Sequence, residues 1–334
     1  MNVLAITDAF IPVETMREAL SALGARHLEV IEWGGGDTAE LHRRTRHIER
    51  DGPEAEPVPD DVWEGLDEVE LIVTHMCPVN GAMIRKADRL RMIGVCRAGI
   101  ENIDQDAASA RGVRILNVPG RNATAVAEFT VGMMLAELRN IARAHHSLAN
   151  GGWRKQYVNT DQFTELSGKT VGLVGFGVIG QMVARRLQPF EVRLIVHDPF
   201  QPVEVVERFG AGSVDLEMLL RESDFVSMHA RRDGDGPPLI GARELGLMKP
   251  TAYLVNSARA YLVDVEALVD VLRRRRIAGA ALDVFEVEPL PADSPLRRLD
   301  NLTLTPHLAG STVEAFAHSP RMLVERIRQV ANHE

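Results

Sequence analysis

Short apolar runs rich in valine, isoleucine and leucine alternate along this chain with stretches of helical amphipathic pattern. In the first third, the apolar runs predict five strands, at residues 3–7, 28–32, 71–74, 92–96 and 114–117. Continuous apolar runs, rather than alternating ones, are typical of strands that are buried on both faces. With helices between them, these strands indicate a parallel sheet covered by helices on each side.

Apolar residues at helical spacing predict the helices between these strands. Residues 13–23 form one such segment, and residues 34–61 are predicted to be a polar excursion with at most one helix, at about 38–50. Residues 122–148 are predicted to form one long helix, and residues 311–332 a C-terminal helix.

A second alternating series follows Gly151 and Gly152. It predicts six more strands, at residues 170–175, 193–198, 225–229, 252–256, 278–283 and 302–305. Because 334 residues exceed the size of a typical single core, two domains are expected. The predicted fold class is therefore α/β, with two domains built on parallel sheets.

Charge and cysteine content limit the expected partners and location. The formal net charge is -9, which opposes binding to nucleic acid or to an anionic membrane. The dense basic run at 273–276 falls where a helix should end, and the helix dipole favours cations there. No run approaches the roughly 20 apolar residues of a membrane span, and two cysteines fit a reducing compartment. We therefore expect a cytoplasmic protein.

The sequence Gly175-Phe-Gly-Val-Ile-Gly180 lies between a predicted strand and a predicted helix. In that context, Gly175 allows a tight turn, Gly177 lets the backbone approach a pyrophosphate, and Gly180 lets the helix pack on the sheet. The N–H groups at the helix start then face the phosphates. Asp198 ends the next strand, where a carboxylate accepts hydrogen bonds from ribose hydroxyls and repels a 2′-phosphate. NAD is the predicted cofactor.

Three residues far apart in the chain form a candidate catalytic set: Arg259, Glu288 and His307. Arg259 follows a strand, at the sheet edge where ligands bind, and can clamp a carboxylate and polarise a carbonyl. His307 is suited to donate a proton near neutral pH. Glu288 can hydrogen-bond the far ring nitrogen and favour the protonated form. This set suits hydride transfer to a 2-oxo acid.

Other strand ends supply candidate cofactor contacts. Asp283 can accept a hydrogen bond from the nicotinamide carboxamide, and His229 and Ala230 should pass close to the cofactor. The complete set of predicted cofactor residues is Gly175, Gly177, Val178, Ile179, Gly180, Asp198, His229, Ala230, Ser257, Ala258, Asp283 and Gly310. No convincing spacing of metal ligands is found, so no metal is expected.

With these motifs, the chain resembles the D-isomer-specific 2-hydroxyacid dehydrogenase family over about residues 71–315. Further motifs carry the resemblance: Arg97-Ala-Gly-Ile-Glu-Asn-Ile-Asp104, Asn122-Ala-Thr-Ala-Val-Ala-Glu128, Leu247-Met-Lys-Pro250 and Gly279-Ala-Ala-Leu-Asp-Val-Phe285. The resemblance implies two Rossmann-like domains, with a cofactor domain (121–306) inserted into a flavodoxin-like substrate domain (1–120 plus 307–334). It also implies a homodimer and a small-molecule substrate whose carboxylate is held by Arg259 and the backbone of Ala98 and Gly99. Arg97 is the nearest candidate for binding a second anionic group of the substrate.

Some positions depart from the family pattern. Arg231, Arg232 and Asp233 replace the usual Pro-Leu-Thr beside the cofactor, which leaves NADP open as an alternative. The loop at 74–80 lacks the arginine common in phosphoglycerate enzymes, so a small glyoxylate-like or hydroxypyruvate-like acid is expected first. The regulatory domain that some of those enzymes carry is not expected. Phosphoglycerate or a sugar acid, and an NAD(H)-sensing corepressor-like binding protein, remain the alternatives.

Overall fold

The computed structural model describes residues 1–159, 164–231 and 236–331. The chain divides into two compact units. The first comprises Met1–Asn122 together with the residues from Ser311 onward, and the second is Ala123–Gly310. The sequence placed the divisions at 120/121 and 306/307. Assignment of the first unit to substrate and the second to cofactor stays a prediction.

The first unit is built on a five-stranded sheet whose neighbouring strands are all parallel. Its strands are β1 (Asn2–Thr7), β2 (His27–Glu32), β3 (Leu71–Thr74), β4 (Met92–Val95) and β5 (Arg114–Asn117). Their spatial order is β2-β1-β3-β4-β5, which is the flavodoxin-like order.

Helices cover both faces of this sheet. They are α1 (Val13–Ser21), α2 (Thr38–Asp51), α3 (Gly81–Lys86), α4 (Gln105–Ala110) and the C-terminal helix α12 (Val313–Ala331). Leu4 and Ile6 of β1 pack in one apolar cluster with residues of α2, whereas Val3 and Ala5 pack in another with residues of α1 and α12. Strand side chains alternate between the faces, so burial of both sets explains the continuous apolar run.

The second unit has a seven-stranded sheet, again with parallel neighbours. Its strands are β6 (Thr170–Val174), β7 (Arg193–His197), β8 (Gly212–Ser213), β9 (Phe225–Met228), β10 (Tyr253–Asn256), β11 (Gly279–Leu282) and β12 (Leu302–Leu304). The order is β12-β11-β10-β9-β6-β7-β8. The sequence did not predict β8, because two residues carry too little pattern.

In this second sheet, the direction in which successive strands are added changes once, between β6 and β9. Chain order runs outward from β6 through β7 to β8 on one side, and from β9 to β12 on the other. This is a dinucleotide-binding topology, and ligands of such sheets bind outside the carboxyl ends of the strands at the reversal. The predicted α/β class with two parallel-sheet domains is confirmed.

Seven helices are described in the second unit. They are α5 (Ala123–Leu138), α6 (Ile141–Ala149), α7 (Val178–Leu187), α8 (Val203–Glu207), α9 (Leu216–Glu222), α10 (Ala242–Leu245) and α11 (Val265–Arg273). Across both units, the described helices include none with the length and apolar character needed to cross a membrane.

The prediction of a single long helix over residues 122–148 was wrong, because this segment forms two helices, α5 and α6. Asn140 stands at the break with φ +54°, in the left-handed region that asparagine tolerates better than most residues. Its side chain donates to Asn159 Oδ1 (2.7 Å) and accepts from Arg143 Nη1 (2.9 Å). These hydrogen bonds hold Asn140 in the conformation that ends α5.

Candidate active site

The candidate residues of the second unit lie along one edge of its sheet. Each follows the carboxyl end of a strand, and the strands are neighbours in the order β12-β11-β10-β9-β6-β7. The residues are His307 after β12, Asp283 after β11, Ser257, Ala258 and Arg259 after β10, His229 and Ala230 after β9, Gly175 after β6 and Asp198 after β7. Adjacent strands are about 4.8 Å apart, so the topology gathers these residues from much of the sequence at one edge.

The glycine-rich turn after β6 has the conformation that the sequence predicts. Gly175 has φ +94°, and a Cβ there would lie 2.6 Å from the Cα of Ala230 on the neighbouring strand end. A Cβ at Gly180 would lie 2.5 Å from the carbonyl oxygen of Gly175. Only glycine therefore fits at these two positions without a shift of the backbone.

Gly177 differs from the other two glycines because a Cβ built on it meets nothing within 4 Å. Helix α7 starts at Val178, immediately after it, and the first N–H groups of a helix lack partners within the helix. The backbone is thus open where a pyrophosphate would approach, and its donors and the helix dipole favour an anion.

Asp198 is tied to the glycine-rich turn. Its Oδ2 accepts a hydrogen bond from the Phe176 N–H (2.6 Å), and its Oδ1 accepts one from the Phe200 N–H (2.9 Å). Each carboxylate oxygen has a second lone pair, so Asp198 can still accept from a ribose hydroxyl while it braces the turn.

His229 supplies a polar atom without a partner. Its Nε2 lies 2.9 Å from Ser227 Oγ, whereas its buried Nδ1 has no hydrogen-bond partner among the residues that the structure describes. Burial lowers the pKa of His229 to about 4, so the ring is neutral near neutral pH. With the open backbone at Gly177, this atom beside the turn shows that the edge fits a bound dinucleotide.

His307 and Glu288 form the pair that the sequence predicts. His307 Nδ1 lies 2.9 Å from Glu288 Oε2 and 3.1 Å from Oε1, and Oε1 also accepts from the Phe285 N–H (3.0 Å). The carboxylate therefore fixes the orientation of the imidazole and keeps a proton on Nδ1. His307 is 51% exposed at the side chain, so the ring is accessible to a ligand.

The backbone of His307 is unusual, with φ +55°. Non-glycine residues in this region cost on the order of 1–3 kcal/mol, and such costs concentrate at functional sites. The surrounding contacts hold the residue in place, since Asp283 binds the backbone on its C-terminal side.

Asp283 is the main positioning residue that the sequence did not reveal in this role. It is fully buried, and its carboxylate accepts from Thr305 Oγ1 (2.6 Å), the Leu308 N–H (2.9 Å) and the Ala309 N–H (2.8 Å). Three donors, one before His307 and two after it, thus bind one carboxylate. The sequence shows only an aspartate at the end of β11. It does not show that this aspartate positions His307, because its hydrogen-bond partners lie more than 20 residues away.

Arg259 lies in a loop braced by Asn256 at the end of β10. Asn256 Nδ2 donates to the Arg259 carbonyl oxygen (2.9 Å), and Asn256 Oδ1 accepts from the Ala258 N–H (3.1 Å). Ser257 Oγ is 2.7 Å from Thr130 Oγ1 of α5. The guanidinium itself is exposed and donates to the Ala258 carbonyl oxygen (2.8 Å). Its other N–H donors bond to no residue that the structure describes, so they can bind a carboxylate.

The other predicted substrate residues, Arg97, Ala98 and Gly99, follow β4 in the first unit. Arg97 Nη2 forms an ion pair with Glu49 of α2 and a second with Glu101 (3.4 Å). The Glu101 carboxylate also lies against Gly99, in the space that a Cβ there would occupy. Two carboxylates therefore already offset the charge of Arg97, which the sequence did not indicate.

Two further predictions concern the loop after β9 and metal binding. Arg231 is exposed, whereas Arg232 and Asp233 lie outside the described residues. Within the described ranges, no group of three or more histidine, cysteine, aspartate or glutamate side chains is placed to hold a metal ion.

Comparison with known proteins identifies the family of the chain that carries this site. The sequence model for the NAD-binding domain of D-isomer-specific 2-hydroxyacid dehydrogenases matches residues 131–309. The hydroxypyruvate reductase of Thermotoga maritima is 37% identical over 292 residues, which cover 86% of this chain and 90% of that protein. The chain belongs to the D-isomer-specific 2-hydroxyacid dehydrogenase family and carries its NAD-binding domain, as the sequence predicted.

Two further comparisons give the extent of the similarity. The D-3-phosphoglycerate dehydrogenase of Methanocaldococcus jannaschii is 40% identical over 278 residues, or 82% of this chain. This chain spans only about half of that relative, 52% of its length. Among solved structures, the TT0316 protein of Thermus thermophilus has a TM-score of 0.73 and 28% identity, with 100% of this chain and 98% of that chain covered.

Proposed function

We propose that this protein is an NAD(H)-dependent oxidoreductase that interconverts a small 2-oxo acid and the corresponding D-2-hydroxy acid. The observation that carries the proposal is the Glu288–His307 pair, at 2.9 Å, on the sheet edge that also holds the glycine-rich turn. A proton donor and a dinucleotide cradle on one edge are what carbonyl reduction by hydride transfer requires.

The cofactor is proposed to lie along the carboxyl edge of the second unit. Gly175, Gly177, Val178, Ile179 and Gly180 would hold its pyrophosphate, with Asp198 on the adenosine ribose. The remaining proposed contacts are His229, Ala230, Ser257, Ala258, Asp283 and Gly310. When bound, NADH supplies the hydride that adds to C2 of the acid.

His307 is proposed to donate the proton that the reduced carbonyl oxygen takes up. Glu288 holds Nδ1, so the opposite nitrogen, Nε2, is the one that faces a ligand. Arg259 would bind the carboxylate and stabilise negative charge as it develops on the carbonyl oxygen. After transfer, the imidazole stays oriented by Glu288 and takes a proton from solvent through its exposed face.

The backbone N–H groups of Ala98 and Gly99 remain proposed ligands of the substrate carboxylate, and Arg97 remains the candidate for a second anionic group of the acid. The carboxylates of Glu49 and Glu101 beside Arg97 disfavour a second strongly anionic group such as a phosphate. This supports a glyoxylate-like or hydroxypyruvate-like acid as the substrate. Phosphoglycerate is the alternative, because the Methanocaldococcus jannaschii relative is named a D-3-phosphoglycerate dehydrogenase.

We also propose a cytoplasmic homodimer that uses NADH in preference to NADPH. Both cysteines, Cys77 and Cys96, are buried and free, which fits a reducing compartment. The Asp198 carboxylate would face the adenosine ribose and repel a 2′-phosphate. The Phe176 and Phe200 N–H groups that donate to this carboxylate fix its orientation beside the glycine-rich turn, which supports the proposal.

A substrate panel tests the proposed function. We expect NADH oxidation with glyoxylate or hydroxypyruvate to exceed that with phosphohydroxypyruvate and 2-oxoglutarate, and NADPH to be at least about tenfold poorer in kcat/KM. The measurement is the loss of NADH absorbance at matched acid concentrations. Measurable NADH binding without turnover of any acid would contradict the proposal and favour the NAD(H)-sensing binding protein.

A further inference from the structure

A buried histidine–aspartate pair lies at the carboxyl edge of the first unit's sheet. Asp8 directly follows β1 and His75 directly follows β3, and these two strands are neighbours in the sheet. His75 Nδ1 lies 2.9 Å from Asp8 Oδ2 and 3.1 Å from Oδ1. His75 is 0% exposed. The pair thus occupies the edge at which open parallel sheets bind ligands.

The backbone around the pair fixes which ring nitrogen carries the proton. Asp8 also accepts from the Phe10 N–H (3.0 Å) and the Met76 N–H (3.2 Å). Both oxygens of Asp8 thus accept from backbone N–H groups, and the hydrogen of the contact with His75 is assigned to Nδ1.

The ring is neutral near neutral pH. Burial lowers the pKa of His75, Asp8 opposes that effect, and the positive charges of Arg121 and Arg97 lower the pKa further. In a neutral imidazole with its hydrogen on Nδ1, the other nitrogen, Nε2, carries a lone pair and no hydrogen. His75 Nε2 is therefore a hydrogen-bond acceptor.

This acceptor has no partner. Nε2 is buried and makes no hydrogen bond with any residue that the structure describes. The rings of Phe10 and Phe316 pack edge-on against the imidazole, with centroids at 6.2 and 5.6 Å. A buried acceptor without a hydrogen-bond donor is energetically unfavourable. His75 Nε2 therefore lacks a hydrogen-bond donor among the described residues.

The missing group is a hydrogen-bond donor rather than a phosphate, and the positive charges of Arg97 and Arg121 near His75 disfavour a cation there. Phosphate oxygens are acceptors, as Nε2 is, so the two repel. Arg97 contacts Met76 Sδ (3.3 Å), beside His75, but its charge is already paired with Glu49 and Glu101. A hydroxyl group supplies the required donor without adding charge.

We propose that His75, oriented by Asp8, accepts a hydrogen bond from a hydroxyl group of the bound acid and so selects 2-oxo acids that carry a hydroxyl next to the carbonyl. Hydroxypyruvate has such a hydroxyl, and glyoxylate does not. This inference rests on the proposed function, in which the ligand is a 2-oxo acid. Phe10 and Phe316, the rings that pack against the imidazole, are both only partly buried.

The test compares kcat/KM for hydroxypyruvate and for glyoxylate in the wild-type protein and in His75→Phe. We expect the ratio of the two values to fall about tenfold or more in His75→Phe, because the hydroxyl loses its acceptor. Asp8→Asn should lower the same ratio, because an NH2 donor replaces one of the two oxygens that Nδ1 contacts and the position of the ring hydrogen is then no longer fixed. His42→Phe is the matched control: His42 contacts the Phe10 ring (4.9 Å) but bonds within its own helix, so the ratio should not change.

The outcomes separate the two proposals. If wild-type protein reduces neither acid, the proposed function fails. If it reduces both, and His75→Phe and Asp8→Asn lower the two kcat/KM values by the same factor, His75 is a structural residue and the inference is overturned. Should His75→Phe not fold, His75→Gln and Asp8→Asn decide: Gln keeps an acceptor and should retain more of the ratio than Asp8→Asn.

Discussion

Replacement of His307 by asparagine should lower kcat for the best 2-oxo acid by about 10²–10⁴-fold, the usual contribution of a positioned proton donor. Asparagine suits this position because it tolerates the left-handed backbone, φ +55°. It cannot donate a proton from an acidic group, so the carbonyl oxygen must take its proton from water. Steady-state kinetics with saturating NADH measures the loss.

The control for this substitution is His145→Asn on the exposed surface of α6. It should leave kcat within about twofold of the wild-type value, as expected for a surface change. NADH affinity and thermal unfolding should remain near wild-type in His307→Asn. A kcat within about threefold of wild-type in that variant would rule out His307 as the proton donor.

The second large effect concerns two of the three glycines in the glycine-rich turn, whose substitution by alanine should have different consequences. Gly175→Ala places a Cβ 2.6 Å from Ala230 Cα at φ +94°, so it should lower the free energy of unfolding by about 2–4 kcal/mol. Gly177→Ala meets no atom within 4 Å. It should change the free energy of unfolding by less than about 1 kcal/mol but weaken NADH binding at least about tenfold.

Two measurements distinguish these effects: urea unfolding without cofactor, and NADH titration followed by fluorescence. Each variant is the control for the other, because the same methyl group is added two residues apart. Wild-type NADH affinity in Gly177→Ala would show that the pyrophosphate does not approach this backbone.

Much of the fold was predictable because burial on both sheet faces leaves a strong local signal. The runs at Leu71–Thr74 and Arg114–Asn117 match the strands residue for residue. The break between α5 and α6 was not predictable in the same way. It depends on Asn159, 19 residues beyond Asn140, and helical periodicity alone gives no sign of such a contact.

The candidate site shows the same division between local and distant information. The sequence predicted the Glu288–His307 pair because both residues lie in recognisable motifs with a clear chemical relation. It could not predict that Asp283 holds the turn around His307, or that His75 pairs with Asp8 across 67 residues. Those contacts follow from the order of strands in each sheet, which hydrophobic pattern does not specify.

Hydride transfer to a 2-oxo acid, yielding a D-2-hydroxy acid, can be tested directly through the product. The measurement is chiral analysis of what the wild-type protein forms from hydroxypyruvate and NADH, with pyruvate as a second acid. We predict that NADH is consumed in equal amount to the hydroxy acid formed and that the product is the D isomer, D-glycerate or D-lactate. An L product, a racemic product, or no reduction of either acid would contradict this prediction.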